Sequence, residues 1–380
     1  MWIHKWDLWY ICGGQLAAMG VEAARKEWLT PVVLCTSEVE SAVQAIREWG
    51  GTSVISNKWA TMQEKYTNQT KLDEFIAALK PWAPVAFDWE NAPVEALKYL
   101  ESKGLLLKPS HQILSITQHR GTEKAEINKI HWSTVTANYH EVRNFVEGQK
   151  AFREFWAWRF KTSTGGYDWK WQWTINSEEE IEEVFKEFWE NIPDLVYEQN
   201  VSFKEEVSII VWRNARWQTV AYDPFINTHG WGILWNTLVW DSWIDKEVDD
   251  AMIEFTKKTA EWLWLEWIMA LEFFLLKDGN FKANEIAARA HNSGHITMDS
   301  HDISQFDLQI LTMMNETLPT PQLLRNGYMQ NVIGPCIYNH PGVLNWWKYG
   351  KRKSLGSTYY SYWKEMKKGR KMWHINKLRD

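Results

Sequence analysis

The sequence predicts a protein of mixed α/β and α+β class, built from two or three domains. Over about the first hundred residues, short apolar runs alternate with amphipathic stretches, a pattern typical of a parallel sheet flanked by helices. Around Lys108-Pro109-Ser110 the pattern changes, and the remaining sequence has more strand-like runs and longer loops. The 380 residues are too many for one small core, and the 45% of hydrophobic residues is enough to bury a sizeable one.

The N-terminal segments follow one another in a regular order. A strand at Leu8–Ile11 meets Gly13-Gly14, and a helix is predicted from Gln15 to Trp28. Gly13-Gly14 could cradle a phosphate at this helix N-terminus, but Cys12 and Ala17 occupy glycine positions of the dinucleotide fingerprint, so a structural turn is the preferred interpretation. The alternation then continues through Pro31–Cys35, a helix at Glu38–Trp49, Val54-Ile55, Leu72–Leu79 and Val85–Phe87.

Further elements are predicted in the second half of the chain. Ser177 and Glu180 form a capping box that opens an acid-rich helix over 178–190. The other predicted elements are a strand at Val207–Trp212, an amphipathic helix at Asp249–Trp264, and two strands at Ile268–Leu276 and Phe281–Ile286.

Charge and composition exclude several classes of function. The net charge of −6 argues against a nucleic-acid partner held by phosphate neutralisation. Three widely spaced cysteines indicate no disulfide framework and no metal-ligand spacing. The first residues lack the apolar run of a signal peptide and no stretch approaches bilayer length, so we expect a soluble, cytoplasmic protein with no membrane partner. Residues 348–380 hold 11 lysines and arginines, which could meet a phosphate or form a solvated face.

One count is abnormal. The chain contains 28 tryptophans, and several stand where a turn or glycine loop is expected, as in Asp168-Trp169-Lys170-Trp171. Base stacking uses aromatic residues but also needs a basic groove, which the acidic balance argues against. We interpret the excess as drift or rewriting of the sequence.

Two glutamates form a candidate metal site. Lys277-Asp278-Gly279-Asn280 joins two strands, and Asp-Gly is a favoured two-residue hairpin turn. With that turn, Glu272 and Glu285 would face each other on one side of the sheet, where like charges are destabilising unless a shared cation such as Mg²⁺ binds both. The alternative is a pair of solvated glutamates.

Two further segments could bind anions. The loop Arg289-Ala290-His291-Asn292-Ser293-Gly294-His295 follows the second hairpin strand, and the arginine fork suits a small planar anion. Lys161 precedes Thr162-Ser163-Thr164-Gly165-Gly166, and a strand lysine beside a glycine loop can neutralise nucleotide phosphates. A plain polar loop and a solvated lysine are the respective alternatives.

These segments occur in an order that resembles the carboxyaminoimidazole ribonucleotide synthetases among the ATP-grasp ligases. The resemblance extends from about residue 8 to residue 376. It is carried by these segments: Asp88-Trp89-Glu90-Asn91-Ala92-Pro93, Phe160-Lys161-Thr162, Gly165-Gly166-Tyr167-Asp168, Phe203-Lys204-Glu205-Glu206, Asn227-x-His229, Asn284-Glu285-Ile286-Ala287, Arg289-x-His291-Asn292-Ser293-Gly294-His295, Ser304-Gln305-Phe306, Tyr349-Gly350-Lys351, and Gly369-Arg370-Lys371-Met372-x-His374.

The resemblance implies three parts and one reaction. The parts are a Rossmann-like domain at 1–107, a two-lobed ATP-grasp domain at 108–310 and a small C-terminal domain at 311–380. The implied reaction is the ATP-dependent carboxylation of 5-aminoimidazole ribonucleotide by bicarbonate, through carboxyphosphate, in purine synthesis. The implied cofactors are ATP and Mg²⁺, for which Mn²⁺ could substitute, and the implied assembly is a homodimer.

The resemblance also implies roles for individual residues. Arg120 and Lys161 would hold the ATP phosphates, with Glu198 at the adenine hinge, Glu206 on the ribose and Asn284 also in the ATP site. Glu272 and Glu285 would bind Mg²⁺, and Arg289, His291 and Asn292 would bind bicarbonate or carboxyphosphate. The ribonucleotide would be held by Tyr167, Asp168, Lys351 and Arg370.

The sequence departs from the family pattern at glycines in particular. Trp169 and Trp171 replace glycines of the phosphate loop, Trp9 and Cys12 replace N-terminal glycines, and Trp373 replaces a glycine before His374. His119 stands where the family has Asp, and Ala288 and Ala290 stand where it has proline. We therefore expect a chain that folds but turns over slowly or not at all. Alternatives are a silent or redesigned scaffold, a non-enzymatic nucleotide-binding module, and another ATP-grasp ligase such as a formate-dependent transformylase.

Overall fold

The computed structural model of the chain describes most of its length. The described residues are 7–11, 13–55, 68–77, 79, 84–156, 158–165, 172–188, 194–230, 232–240, 244–334, 351–354 and 356–379. Within these ranges, no helix combines the length and the apolar character that a membrane span requires.

The N-terminal part is a five-stranded parallel sheet with strand order β3-β2-β1-β4-β5. Buried apolar runs such as Val32–Cys35 form its centre, as expected for strands covered on both faces. The strands are β1 (Asp7–Ile11), β2 (Thr30–Cys35), β3 (Thr52–Ile55), β4 (Pro84–Phe87) and β5 (Leu106–Lys108), and the helices are α1 (Gln15–Lys26), α2 (Ser41–Trp49), α3 (Gln69–Ala77) and α4 (Val94–Ser102).

A smaller lobe contains a four-stranded antiparallel sheet with strand order β6-β9-β7-β8. Trp158, Phe160 and Tyr197 form its buried aromatic core beneath two helices. Before and within this lobe lie α5 (His111–Thr117), α6 (Arg120–His131), β6 (Tyr139–Val142), α7 (Phe145–Phe155), β7 (Trp158–Thr162), β8 (Gln172–Ile175), α8 (Glu178–Phe188) and β9 (Leu195–Glu198).

The rest of the chain forms one large, mainly antiparallel sheet. Its strand order is β15-β14-β10-β12-β13-β16-β19-β18-β17, with β11 paired to β10. The strands are β10 (Phe203–Arg213), β11 (Thr219–Ala221), β12 (Phe225–Gly230), β13 (Ile233–Val239), β14 (Ile268–Leu276), β15 (Phe281–Ala287), β16 (Gly327–Ile333), β17 (Lys351–Ser354), β18 (Ser357–Ser361) and β19 (Lys371–Leu378). The helices are α9 (Lys246–Trp262), a 3₁₀ turn at Ser293–Ile296, α10 (Thr297–Ser300) and α11 (Gln305–Met313).

The predicted mixed class is confirmed. The C-terminal strands β16 to β19 continue the sheet of the preceding lobe, because β16 pairs with β13. The hydrogen bonds of one sheet therefore cross the proposed domain boundary at residue 310. The three-part division therefore stays a proposal about sequence organisation.

Candidate active site

A cleft of about 470 Å³ lies where the three sheets meet. Residues of the segments after β1 and β4 line it, as expected where ligands bind outside the carboxyl ends of parallel strands. Gly14 and Gln15, at the start of α1, are among these residues, so the Gly13-Gly14 turn lies at the cleft. Seven of the predicted site residues also line the cleft: Arg120, Glu272, Glu285, Arg289, His291, Asn292 and Arg370.

A buried chain of polar groups positions His291. Its Nε2 lies 2.9 Å from Glu272 Oε1, and its Nδ1 lies 2.7 Å from the Ser293 hydroxyl. That hydroxyl is 2.7 Å from Ser208 Oγ, which accepts a hydrogen bond from Asn227. Burial alone would raise the pKa of Glu272, but His291 outweighs it and holds the pKa below its ordinary value. Glu272 is therefore ionised at neutral pH.

The hairpin that carries the two glutamates differs from its prediction. The loop has three residues, because Leu276 N–H donates to the Asn280 carbonyl and only Gly279 has positive φ, at 87°. Near the turn Leu275 pairs with Phe281, one position off the predicted register. The register shifts between Leu271 and Phe273, and beyond the shift Leu271 pairs with Ile286 as predicted. Glu272 therefore lies at a bulge, where Asn284 and Glu285 together oppose it. Both side chains still line the cleft.

Glu272 belongs to a cluster that sequence reasoning did not assemble. Ligand atoms of Glu206, His229 and Glu272 all lie within 4.8 Å of one another. His229 Nδ1 is 2.6 Å from Glu206 Oε2. Burial would lower the pKa of His229, but Glu206 and further carboxylates raise it. This cluster combines carboxylate oxygens with an imidazole, whereas Glu285 offers its own carboxylate to the same cleft.

Arg120 begins α6 at the edge of the cleft. Its backbone N–H donates to the Ser163 carbonyl, 2.9 Å away, and its guanidinium lies 3.1 Å from Glu285 Oε2. His119 caps the helix because its Nδ1 accepts a hydrogen bond from Thr122 N–H at 3.2 Å. This cap holds the start of α6, and with it Arg120, at the cleft.

Lys161 and Glu198 form a buried charged group behind the cleft. Glu198 lies 3.1 Å from Lys161 and 3.4 Å from Lys124. Burial would raise the pKa of Glu198, but Lys124 and Lys161 outweigh it and hold the pKa at about 2. Burial lowers the pKa of Lys161, with Arg120 and Lys124 adding to the effect. Lys124 also donates to the Asn284 carbonyl at 3.1 Å.

Arg289 lies against the segment that follows β4. Its Nε is 3.0 Å from Glu90 Oε1. Burial raises the pKa of nearby Asp88 to about 7 although Arg289 lowers it, and both Asp88 carboxylate oxygens are buried without a hydrogen-bond partner. The Asn292 side-chain oxygen is likewise buried and unpaired. Both residues line the cleft, so these acceptors lie beside the space that a ligand would occupy.

The basic end of the cleft differs from the prediction. Lys351 lies on β17 with its Nζ 5.0 Å from the centre of the Tyr360 ring, and it lines a separate small cavity. Lys364 lines the cleft instead, together with Arg370 and Lys371. Burial, Arg370 and Lys371 lower the pKa of Lys364 to about 7.

Two predicted ribonucleotide ligands, Tyr167 and Asp168, lie outside the described residues. The sequence analysis missed Lys364 and Lys124, and it named His229 within a segment without giving it a role. Two features of the sequence pointed to Lys364. It lies five residues before Gly369-Arg370-Lys371, and Tyr362-Trp363-Lys364 resembles the triplet Tyr349-Gly350-Lys351 except that tryptophan takes the place of glycine.

Comparison with known proteins agrees with this geometry. Residues 127–306 match the ATP-grasp domain. The N5-carboxyaminoimidazole ribonucleotide synthase of Bacillus subtilis (strain 168) is 33% identical over 296 residues, which cover 77% of this chain and 74% of that protein.

The chain belongs to the N5-carboxyaminoimidazole ribonucleotide synthase family.

Solved structures of this family superpose over the whole chain. The ADP complex of one N5-carboxyaminoimidazole ribonucleotide synthetase has a TM-score of 0.87 and 30% identity, covering 100% of this chain and 94% of that one. A synthase from Aspergillus clavatus in complex with ADP and 5-aminoimidazole ribonucleotide has a TM-score of 0.83 with 99% and 94% coverage; at 21% identity it shows the shared fold. The chain is thus an ATP-dependent ligase of the ATP-grasp type.

Proposed function

We propose that this enzyme carboxylates 5-aminoimidazole ribonucleotide with ATP and bicarbonate to give N5-carboxyaminoimidazole ribonucleotide in purine synthesis. The observation that carries the proposal is the convergence of three cationic groups on one cleft, namely Arg120 near Lys161, Arg289 beside His291 and Asn292, and Lys364 with Arg370 and Lys371. Such a cleft suits three anionic ligands, a nucleotide, a small planar anion and a sugar phosphate.

In the first step, a bicarbonate oxygen attacks the γ-phosphorus of ATP. The bond between that phosphorus and the bridging oxygen breaks, ADP leaves, and carboxyphosphate forms. Lys161 and Arg120 neutralise the phosphates and Glu206 binds the ribose, while Glu198, buried behind the cleft, holds Lys161 in place instead of contacting the adenosine. Asn284 lies beside this region because its carbonyl accepts from Lys124.

In the second step, the amine nitrogen of the ribonucleotide attacks the carboxyl carbon of carboxyphosphate. Phosphate leaves and the nitrogen loses a proton. Arg289 binds the planar carboxyl with a bidentate fork, and His291 and Asn292 complete its site. Lys364 and Arg370 bind the ribonucleotide phosphate, and Tyr167 and Asp168 remain proposed contacts to the same substrate.

The residues fit a divalent cation at the nucleotide phosphates. Glu272 is held ionised by His291, and Glu285 presents a partly exposed carboxylate to the cleft. Carboxylate oxygens are what Mg²⁺ prefers, and Mn²⁺ tolerates the same donors. When bound, the cation would neutralise charge that develops on the transferred phosphoryl group.

The relatives support the substrate assignment. The Aspergillus clavatus synthase binds ADP and 5-aminoimidazole ribonucleotide, and the Bacillus subtilis relative carries the name of the same activity. The proposed homodimer rests on the family resemblance alone.

The decisive experiment is a coupled ADP-release assay with ribonucleotide and bicarbonate supplied together or withheld one at a time. We expect full release only with both. Stimulation by formate in place of bicarbonate would indicate a transformylase. ATP binding without ADP release under any condition would indicate a binding module or a silent scaffold.

A further inference from the structure

The strongest unexplained feature lies in the backbone, at tryptophans with left-handed conformation. Seven non-glycine residues among those described have positive φ, and six of them are tryptophans. The left-handed backbone conformation is disfavoured for residues that have a Cβ atom, and glycine is the residue that usually adopts it. The six residues are Trp28, Trp132, Trp156, Trp217, Trp264 and Trp363, with φ between 49° and 68°.

Three of these tryptophans terminate helices in a geometry that glycine normally provides. At the end of α1, Trp28 N–H donates to the Arg25 carbonyl and Leu29 N–H donates to the Ala24 carbonyl. This pair of bonds defines the Schellman motif, whose left-handed residue is glycine in most helices. The same pair of bonds occurs at the ends of α6 and α9, with Trp132 and Trp264 in the left-handed position.

The chain contains its own standard for this motif. At the end of α4, Gly104 N–H donates to the Glu101 carbonyl and Leu105 N–H donates to the Leu100 carbonyl, with φ of 84° at Gly104. At the end of α11 the left-handed residue is Asn315, the usual second choice after glycine. Identical hydrogen bonding therefore occurs around glycine, asparagine and tryptophan in one protein.

Trp156 and Gly50 end their helices in the same way, in a backbone region that is even less accessible to residues other than glycine. Trp156 ends α7 with φ 62° and ψ −151°, and its N–H donates to the carbonyl four residues earlier at 2.7 Å. Gly50 ends α2 with φ 89° and ψ 155° and the same bond at 2.7 Å. This region of φ and ψ is essentially restricted to glycine.

Burial does not compensate for the strain. Five of the six side chains are between 59% and 83% exposed, so their rings gain little from the core. Trp217 and Trp264 contact each other edge to face, but both remain mostly in solvent. The composition is also rich in tryptophan and poor in glycine. The chain has 28 tryptophans and 20 glycines in 380 residues, which is about 5% glycine where about 7% is usual.

We propose that these six positions are glycines in the protein as its source cell makes it, because their codon is read there as glycine. UGA, a stop signal in the standard code, is read as tryptophan in some bacteria and as glycine in others, so one codon could produce the whole pattern. The earlier interpretation, drift or rewriting of the sequence, would not select left-handed positions. This inference does not depend on the proposed reaction.

Peptide mass spectrometry of the protein isolated from its source cells tests the inference directly. Peptides that span residues 28, 132 and 156 should contain glycine, and the gene should carry one and the same codon at all six positions. Tryptophan in those peptides would overturn the inference.

A recombinant comparison tests the physical reason. The protein with tryptophan at the six positions is compared with one carrying glycine at all six and one carrying alanine at all six. Glycine should raise the melting temperature by roughly 10 °C or more, and alanine by less than about a third of that, because alanine removes the ring but keeps the Cβ. Should the tryptophan protein not fold, the glycine and alanine proteins are compared with each other. Equal melting temperatures for those two would overturn the left-handed argument.

Discussion

The buried charges behind the cleft give a prediction whose size follows from the structure. Glu198 lies between Lys161 at 3.1 Å and Lys124 at 3.4 Å, and all three side chains are almost fully buried. Glu198→Gln keeps the shape of the side chain but removes its charge. Two lysines then lie buried near each other without their shared counter-charge.

The expected loss of stability is several kcal/mol. The pKa of Glu198 falls from 4.5 to about 2 on folding, which corresponds to about 3 kcal/mol at neutral pH. Breaking a buried ion pair by removing one partner typically costs about 3–5 kcal/mol, in agreement with that figure. Because the folded pKa lies below the unfolded one, this stability is present above pH 4.5 and is lost as pH falls towards 2.

Urea denaturation at pH 7, followed by tryptophan fluorescence, measures the loss. The control is Glu182→Gln, because Glu182 forms an exposed pair with Lys186 at 2.6 Å and should change the free energy of unfolding by less than about 1 kcal/mol. In Glu198→Gln the pKa of Lys161 should fall further, so the deficit should shrink as pH rises. A deficit at pH 7 no larger than that of the control, or one that grows as pH rises above 7, would refute the reasoning.

Three further variants probe the proposed reaction. Glu285→Gln should abolish Mg²⁺-dependent ATP turnover yet leave the melting temperature little changed, since its pair with Arg120 is partly exposed; unchanged Mg²⁺ dependence would contradict the metal role. Arg289→Lys should lose ADP release stimulated by bicarbonate but keep ATP binding, because lysine cannot form a bidentate fork, and an equal loss of ATP affinity would assign Arg289 to the nucleotide. Trp169→Gly with Trp171→Gly should raise ADP release at least about tenfold, a barrier change of about 1.4 kcal/mol, with melting curves as the check that a core was not opened.

Most of the helices and strands could be predicted from the sequence, because the spacing of apolar residues largely determines where they form. The strand at Ile268–Leu276 has its predicted bounds, and β1, β2 and β4 each begin one residue before prediction. The helix predicted from Glu38 begins at Ser41, because Thr36 and Ser37 N–H groups donate to the Glu40 carboxylate and form a turn first. Local side-chain bonds of this kind compete with helix formation and are not visible in periodicity.

The pairing of the two glutamates could not be predicted in the same way. The turn residues fixed an expected register, but a bulge near Glu272 depends on what packs on both sides of β14. His229 reaches Glu272 from a strand that is distant in sequence, and only the sheet order brings the two together. Contacts across such an order follow from tertiary packing rather than from any local pattern.

Lys364 was missed because of the residue before it. Tyr362-Trp363-Lys364 would repeat the triplet Tyr349-Gly350-Lys351 if residue 363 were glycine, and Trp363 is one of the left-handed tryptophans. The sequence therefore offered one complete triplet, which ends at Lys351, and one that Trp363 interrupts, which ends at Lys364. The structure separates them, because Lys364 lines the cleft and Lys351 does not.

The two lysines provide a matched test of this difference. Lys364→Met should raise the KM for the ribonucleotide at least about tenfold, since a charge-assisted bond to phosphate contributes about 1.5–3 kcal/mol, while Lys351→Met should leave it nearly unchanged. Burial, Arg370 and Lys371 lower the pKa of Lys364 to about 7, so its charge is lost as pH rises through neutrality. The KM of the unsubstituted enzyme should accordingly rise between about pH 6 and pH 8, and this rise should disappear in Lys364→Met. A larger effect of Lys351→Met, or a pH dependence that survives the loss of Lys364, would assign the phosphate to another cation.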